Sequence, residues 1–306
     1  IIGKTGSIGI PEFGTGFTRQ MLVDTQPDKF DMLVRLSGYS HGTGVWLGNA
    51  QDLILNKVCG VSETIGCRDD IMIYLMSMGI DANTAFKSME TVRKKNKQLT
   101  EEQVQAMKEH GVPQWYIDSL AKIGYLFPKA HAVAYVMMAF RIAWFKVHEP
   151  LAFYSAYFYR RSQKGGFDAE SMTGGTDSVR KKINEYRRKS DLTANEEDLL
   201  VTLEAVYEFN MRGLEFAWID FYRSDATHFL ITEDKKLLPP FVSISGLGES
   251  AALDLVRCRE SGKEFVSIEE IAATCPKVSQ THMEILKKLG ALGALPETSQ
   301  INLFDF

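Results

Sequence analysis

One stretch of the sequence combines a cation, an imidazole and an aromatic ring, since residues 127–135 read Phe-Pro-Lys-Ala-His-Ala-Val-Ala-Tyr. In a helix, His131 and Tyr135 lie on one face at a spacing of four residues, with Lys129 near the helix N-terminus. Charge, hydrogen bonding and ring stacking on one helix face suit a nucleoside triphosphate. The alternative is a core histidine whose hydrogen bonds are satisfied inside the protein, and the residue types leave both interpretations open.

A second stretch, residues 37–44, reads Ser-Gly-Tyr-Ser-His-Gly-Thr-Gly. We predict a loop here, whose hydroxyls and imidazole suit contact with a sugar or a base. No acidic residue lies at a spacing that identifies a Ser/His/Asp triad, which argues against nucleophilic catalysis. Asp69 and Asp70 are adjacent and would point in different directions, whereas a two-metal site needs carboxylates that converge on ions about 4 Å apart. The sequence therefore predicts no catalytic centre in this chain.

A glycine turn precedes an apolar helical pattern near the end of the chain, where residues 244–248 read Ile-Ser-Gly-Leu-Gly. A glycine turn that opens onto a helix offers backbone N–H groups and a positive dipole end to a phosphate. The spacing is typical of a helix-hairpin-helix motif, which binds the duplex backbone without reading its sequence, and it predicts DNA contacts at Gly246, Gly248 and Ser250. Residues 286–295 are predicted to be a second, more degenerate copy. The alternative is an ordinary turn between two helices.

Basic residues cluster around the end of one predicted helix, at Lys87, Arg93, Lys94, Lys95 and Lys97. These cations could neutralise phosphates, but cations at a helix C-terminus also stabilise the helix itself. On a larger scale, residues 129–189 (the basic segment) hold 12 Lys and Arg against 5 Asp and Glu, and residues 191–234 (the acidic segment) hold 2 against 11. We expect a basic face for an anionic partner, with the acidic segment turned elsewhere. The alternative is two solvated helical faces.

The elements that must position these residues are mainly helical, because apolar residues recur at helical spacing between glycine and proline signals. Predicted helices cover residues 17–25, 30–36, 68–78, 83–94, 100–110, 114–123, 128–147, 150–159, 178–189 and 195–212. Residues 227–232 and 237–238 are predicted to form a small β-hairpin, and a last helical segment follows over residues 240–295.

The length of 306 residues predicts two domains, and 45% hydrophobic residues exclude wholesale disorder. A net charge of −4 excludes nucleic-acid binding through bulk positive charge, so any such binding must use local patches. Four widely spaced cysteines argue against a disulfide scaffold and a structural zinc and fit a reducing cytosol. The longest apolar stretch contains His131 and Arg141, and no signal peptide is visible. Because the chain opens at Ile1 without a methionine, we expect it to be a piece of a larger protein.

Five segments, in order, resemble PolC-type bacterial DNA polymerase III alpha subunits: residues 9–15, 36–43, 45–51, 66–70 and 127–132. The resemblance covers essentially the whole chain and implies a mainly α fold. It implies a helical fingers domain over residues 1–225, then a small helix-hairpin-helix duplex-binding domain over residues 226–295 with a minor β-hairpin. A flexible tail over residues 296–306 completes the expected organisation.

In that family, the fingers hold the incoming dNTP against the template and contact its triphosphate. The resemblance implies that the phosphate and pocket contacts are Arg68, Arg93, Lys94, Lys129 and His131. It implies further that the wall of the base pocket is formed by Ser40, His41 and Phe127. Gly44 stands where the family loop is expected to carry an acidic residue. In the tail, Gln300, Leu303 and Phe304 resemble the pentapeptide that docks replicases on the sliding clamp.

The implied reaction is attack of a primer 3′-hydroxyl on the α-phosphate of a dNTP during DNA replication in the cytoplasm. The implied partners are template–primer DNA, dNTP, the sliding clamp and the remaining domains of the polymerase. The implied Mg²⁺ ions are bound by a palm domain that has no counterpart in these residues, so no metal is expected here and this chain alone is expected to be inactive. The competing hypothesis is a stand-alone DNA- and clamp-binding module, which would have no use for the Lys129 and His131 helix.

Overall fold

The structure is a computed structural model and describes residues 1–93 and 98–299. These residues divide into two units. The first unit is residues 4–143, and the second unit is residues 1–3 together with the described residues of 144–306.

The first unit is built from helices joined by short turns. Its helices are α1 (Gly16–Thr25), α2 (Phe30–His41), α3 (Gln51–Leu55), α4 (Arg68–Ser77), α5 (Ala82–Arg93), α6 (Glu101–Glu109), α7 (Gln114–Lys122) and most of α8 (Lys129–His148). The hydroxyl of Thr15 accepts a backbone hydrogen bond at the start of α1, and Thr100 and Gln103 cap each other at the start of α6. The predicted helices of this unit are confirmed, with small shifts at their ends. The predicted last residue of α5, Lys94, lies outside the described residues.

Helix α2 ends five residues later than predicted, at His41, so the prediction of a loop is wrong for Ser37–His41. The reason lies at Gly38, where an added Cβ would lie 2.2 Å from the carbonyl oxygen of Gly66. Glycine at this position lets the helix pack directly on the backbone of the segment before α4. The residue that suggested a turn therefore serves close packing, and residues 42–44 alone form the loop.

The second unit is also mainly helical. Its remaining helices are α9 (Pro150–Ser162), α10 (Ala169–Met172), α11 (Thr176–Arg187), α12 (Ala194–Met211), α13 (Glu249–Glu260), α14 (Ile268–Thr274) and α15 (Gln280–Lys288). Strand β1 (Leu230–Ile231) pairs antiparallel with β2 (Leu237–Leu238), in the register Leu230 to Leu238. The predicted hairpin is confirmed with a shorter first strand, and so is the mainly α fold class. The domain boundaries predicted at 225/226 and 295/296 stay predictions.

A buried ion pair lies beside the aromatic core of the second unit. The ammonium of Lys146 lies 2.5 Å from Glu208 Oε1, and both side chains are buried. Tyr154 donates its hydroxyl hydrogen to the same carboxylate oxygen. Burial and then the charge of Glu208 raise the pKa of Tyr154, so this hydroxyl keeps its proton. The pair ties the end of α8 to α12, and replacing one partner alone would leave a buried charge uncompensated.

The basic and acidic segments face each other in this unit. Helix α11 packs against α12. Arg187 pairs with Glu204 at 2.7 Å, and Lys189 pairs with Glu196 at 2.6 Å. The expectation that the acidic segment turns elsewhere is therefore wrong. Charge blocks adjacent in sequence became neighbours because two consecutive helices pack side by side, and part of the basic charge is neutralised within the chain.

Among the described residues, α8 is the one helix long and apolar enough, by length and composition, to cross a membrane. It also carries Arg141 and Lys146, and the latter is buried in the ion pair described above. Away from its buried positions, it exposes Met137, Met138 and Phe140, whose exposed fractions are 45%, 54% and 59%. We call these three side chains the α8 apolar face.

The close contact at Gly38 gives a stability prediction. Gly38→Ala should lower the free energy of unfolding by about 3 kcal/mol, because the new methyl group forces α2 away from Gly66. Gly16→Ala is the matched control, since an added Cβ at this helical glycine meets nothing within 4 Å, and it should stabilise by about 0.5 kcal/mol. Urea unfolding of both variants measures the difference, and equal stabilities would contradict the close packing.

Candidate nucleotide and nucleic-acid interfaces

Helices α4 and α8 begin side by side in the first unit. The backbone N–H of Arg68 donates to the carbonyl oxygen of Phe127 at 3.3 Å, next to a parallel bridge between Cys67 and Phe127. The backbone N–H of Lys129 donates to Asp69 Oδ2 at 2.9 Å, so the first turn of α4 caps the start of α8. Each helix carries a basic residue at its first position. Two positive helix ends and two cations at one place form a candidate anion site.

The carboxylate of Asp70 holds this arrangement together. Its Oδ2 accepts from the backbone N–H groups of Gly66 and Cys67, at 3.1 and 2.9 Å, and from the guanidinium of Arg35 at 3.2 Å. Its Oδ1 accepts from the ammonium of Lys129 at 2.9 Å. The residue is only 7% exposed, so these charge-assisted bonds form largely away from water. One side chain thus joins α2, the start of α4 and the start of α8.

Cys67 lies in the same junction and is fully buried. Burial, and then the charge of Asp70, raise the pKa of Cys67 to about 12. The thiol is therefore neutral at physiological pH and is unsuited to act as a nucleophile.

The two adjacent aspartates do not fit a catalytic metal site. Every donor around Asp70 is an amide or a cation, and Asp69 is engaged by the start of α8. Hard divalent cations need free carboxylate oxygens that converge on one point. Within residues 1–93 and 98–299, no three His, Cys, Asp or Glu side chains are grouped so that they could hold a metal ion.

A stack of rings lies beside the N-terminus of α8. The imidazole of His41 lies on the ring of Phe127, with centroids 4.7 Å apart and planes 27° apart. Tyr135 stacks on Phe127 at 6.1 Å, and His131 meets it edge-on at 6.1 Å. His41, His131 and Tyr135 are exposed, so the group presents aromatic surface to solvent. Such surfaces stack on nucleic-acid bases without regard to sequence. We call His41, Phe127 and Tyr135 the ring stack.

Other predicted nucleotide contacts are placed differently. Arg93 forms a bidentate pair with Glu90, with both N–O distances at 2.8 Å. Ser40 donates its hydroxyl hydrogen to the carbonyl oxygen of Ser37 within its own helix. Lys94 lies outside the described residues. The guanidinium of Arg68, by contrast, forms no hydrogen bond or ion pair within the described ranges 1–93 and 98–299.

The structure adds side chains to which the sequence assigned no role. Arg35 helps to neutralise Asp70, and Glu12 accepts hydrogen bonds from Ser37 and His41. Glu12 belongs to one of the five segments of the resemblance, which was the available signal for it. Arg35 gave none, because its partner lies 35 residues away.

In the second unit, the glycine turn opens onto a helix as predicted. Gly246 has a φ of +77°, a conformation that favours glycine, and Gly248 precedes the first residue of α13. Ile244 and Leu247 are buried and anchor the turn, whereas Gly248 and Ser250 are exposed. The first N–H groups of a helix have no partner within it, so this turn presents donors to solvent. It borders a cavity of about 760 Å³.

The predicted second copy of the motif is wrong. The N–H of Ala291 bonds back to Leu286, and the N–H of Gly290 bonds to Lys287. Gly290, with a φ of +72°, therefore ends α15 as a C-terminal cap, and no helix follows through residue 299. A glycine after a helix and a glycine before one give similar local patterns, and the helix on the far side distinguishes them.

Two protein-family models match this chain, one in its N-terminal part and one in its C-terminal part. Residues 1–114 match the model of the bacterial DNA polymerase III alpha subunit finger domain. Residues 213–300 match the helix-hairpin-helix motif. The chain therefore contains a polymerase-type finger domain followed by a helix-hairpin-helix region.

The relatives extend this similarity over nearly the whole chain. The chain is 52% identical to DNA polymerase III PolC-type of Bacillus subtilis over 302 residues, which is 98% of this chain. The corresponding identities are 51% for the Caldanaerobacter subterraneus protein and 50% for the Staphylococcus haemolyticus protein. The resemblance to PolC-type DNA polymerase III is thus confirmed, and the chain spans about a fifth (21%) of the length of these relatives.

The junction at Asp70 gives a second stability prediction. Asp70→Asn should destabilise the chain by about 3 kcal/mol, because Arg35 and Lys129 lose the buried charge that they share. Asp118→Asn is the control: Asp118 is exposed and accepts a hydrogen bond from Gln114, so its loss should change stability by less than about 0.5 kcal/mol. Denaturant unfolding distinguishes these outcomes, and a small effect at both positions would refute the role of Asp70.

Proposed function

We propose that this chain is the part of a replicative DNA-directed DNA polymerase that binds the incoming dNTP and the template–primer duplex. The observation that carries the proposal is the junction of α4 and α8, where Arg68 and Lys129 flank two helix N-termini beside the ring stack. A nucleotide needs a cationic surface for its phosphates next to an aromatic surface for its base.

The triphosphate is assigned to the cationic side of the junction. Arg68 is available for a phosphate, and Lys129 can turn from Asp70 to a phosphate because Asp70 keeps Arg35 and two backbone amides. His131, two residues after Lys129 in α8 and edge-on to Phe127, is proposed as a further donor. These groups would orient the α-phosphate for attack by the primer 3′-hydroxyl and stabilise the charge that develops on the leaving pyrophosphate. Arg93 and Lys94 are proposed as outer contacts.

The base is assigned to the ring stack, with Ser40 at its edge. A flat, exposed aromatic surface accepts every base, so discrimination must come from pairing with the template. The catalytic Mg²⁺ ions are proposed to be held by carboxylates of the polymerase outside this chain, in agreement with the poor fit of Asp69 and Asp70. We accordingly propose that this chain alone does not extend a primer.

The duplex is assigned to the turn before α13. Backbone N–H groups at Gly246, Gly248 and Ser250 would bind phosphates of the DNA backbone, and such contacts carry no sequence information. The acidic residue at the first position of α13, Glu249, is exposed and can turn away from the phosphate.

The remaining partners are proposals of the same kind. The tail with Gln300, Leu303 and Phe304, which lies outside the described residues, would dock on the sliding clamp. The α8 apolar face would pack against another domain of the polymerase, because exposed apolar patches mark interaction surfaces. A cytoplasmic location follows from the proposed role in replication.

The alternative of a stand-alone DNA- and clamp-binding module requires only the turn before α13 and the tail. It leaves the junction of α4 and α8, with the ring stack beside it, without a use. The finger domain match over residues 1–114 also weighs against it.

Removing the cation at the start of α8 tests the triphosphate assignment. In the complete polymerase, Lys129→Met should lower kcat/KM for dNTP incorporation and leave duplex affinity unchanged. The loss should correspond to about 2–4 kcal/mol of transition-state stabilisation. Lys122→Met is the matched control, since this exposed lysine of the same unit bonds to the carbonyl oxygen of Gly48. Equal losses in DNA binding and incorporation would point to a structural role for Lys129.

Gly248 offers a clean test of duplex binding. An added Cβ at this residue meets nothing within 4 Å and its φ is −73°, so Gly248→Val should fold normally while its methyl groups block the approach of a phosphate. Affinity should fall about equally for unrelated duplexes. Ala194→Val, at the first position of α12, is the control. If the loss of affinity depended on the DNA sequence, binding through phosphates alone would be contradicted.

Deleting residues 300–306 tests the clamp assignment. Clamp-stimulated synthesis should disappear while distributive extension persists, because tethering raises the local concentration of the primer end without altering the active site. A peptide of this tail should bind the clamp with a Kd of about 1 μM, which is a binding free energy of about −8 kcal/mol. A polymerase with both Leu303→Ala and Phe304→Ala that kept full clamp stimulation would exclude this role.

A further inference from the structure

The segment Ser7–Gly14 forms a tight loop that the proposed function leaves without a role. Gly9 has a φ of +76°, and an added Cβ at Gly14 would lie 2.8 Å from the carbonyl oxygen of Ile10. The hydroxyl of Ser7 donates to the carbonyl oxygen of Phe13 at 2.6 Å. The loop is anchored further by buried apolar side chains, those of Ile8, Ile10 and Phe13. Its conformation is therefore fixed by local contacts and by burial.

Glu12 stands in this loop with a φ of +69°. A residue with a Cβ pays about 1–2 kcal/mol in the left-handed region, and glycine avoids that cost. The sequence nevertheless keeps glutamate here, so its side chain must offset the cost or serve a role. Strain of this kind is concentrated at functional sites.

The carboxylate of Glu12 contacts two successive turns of α2. Its Oε2 accepts from the hydroxyl of Ser37 at 2.9 Å and from His41 Nε2 at 2.8 Å. The side chain of Glu12 is 13% exposed, so the carboxylate has little freedom to move. The bond to Ser37 holds the carboxylate in place, and the bond to His41 then fixes the rotation of the imidazole about its second side-chain torsion, which is otherwise broad.

We propose that Glu12 is a positioning residue, which holds the imidazole of His41 flat on Phe127 and so sets the surface on which the base of the incoming nucleotide stacks. The proposal rests on the assignment of the base to the ring stack. In this role Glu12 contacts the imidazole of His41 and not the nucleotide. A loop that merely staples α2 in place would need neither the hydrogen bond to the imidazole nor a specific ring orientation.

Glu12→Gly is the central variant, because it removes the carboxylate and relieves the backbone strain together. In the complete polymerase it should fold with unchanged or higher thermal stability and raise the KM for dNTP about tenfold, as expected for the loss of a hydrogen bond to a charged group. The kcat should change much less. Lys57→Gly is the matched control, since Lys57 is exposed and has a φ of +58°. Lys57→Gly relieves backbone strain in the same way and should leave the KM for dNTP unchanged.

A double-mutant cycle separates positioning from packing. His41→Phe keeps a ring on Phe127 but removes the nitrogen that bonds to Glu12, so Glu12→Gly should add less than about twofold to KM in that background. Glu12→Gln keeps an oxygen that accepts from the imidazole and should restore most of the wild-type KM. Additive effects of Glu12→Gly and His41→Phe would overturn the proposal.

Exchange of the histidine C2 hydrogen, measured by mass spectrometry, reads the imidazole directly and needs no nucleotide. Glu12→Gly should change the exchange rate at His41 several-fold and leave His110, His148, His228 and His282 unchanged. An unchanged rate at His41 would overturn the inference whatever the kinetics show. If His41→Ala left the KM for dNTP unchanged while Glu12→Gly still altered exchange at His41, the base assignment would fail and the positioning contact would stand.

Discussion

The carboxylate of Asp70 makes the interaction on which the first unit depends, because it joins α2, the start of α4 and the start of α8 by charge. Removing a carboxylate from water is costly, and two cations with two backbone amides offset that cost. The arrangement has a chemical consequence. A carboxylate that needs only some of its donors can release one of them, and the donor at the surface is Lys129. In the proposed function, the same carboxylate that holds the junction together can therefore release Lys129 to a phosphate.

Sequence reasoning succeeded where the cause is local. The start of the helix predicted over residues 100–110, the glycine turn before α13 and the spacing of His131 and Tyr135 depend on neighbours within a few residues, and the structure contains all three. It failed where the cause is tertiary. Gly38 resembles a turn signal until Gly66 is placed against it, and the partners of Asp70 come from positions 35 and 129.

The candidate nucleotide site shows the same division. His41, Phe127 and His131 were predicted together through family resemblance, and the fold brings their rings into contact. The charge pattern misled because α11 and α12 neutralise each other across a helix pair. Composition can count charges, but only packing decides which of them meet.

Cys67 gives the junction a chemical reporter. Its thiol is fully buried and lies against Gly38 of α2, where an added Cβ would come within 2.9 Å of the sulfur, and its pKa of about 12 keeps it unreactive while this packing holds. An alkylating reagent can reach this sulfur only when the packing of α2 against the start of α4 opens, so the labelling rate measures the free energy of that opening. The chain thereby carries, without any added probe, a means of following how firmly its central contact is held.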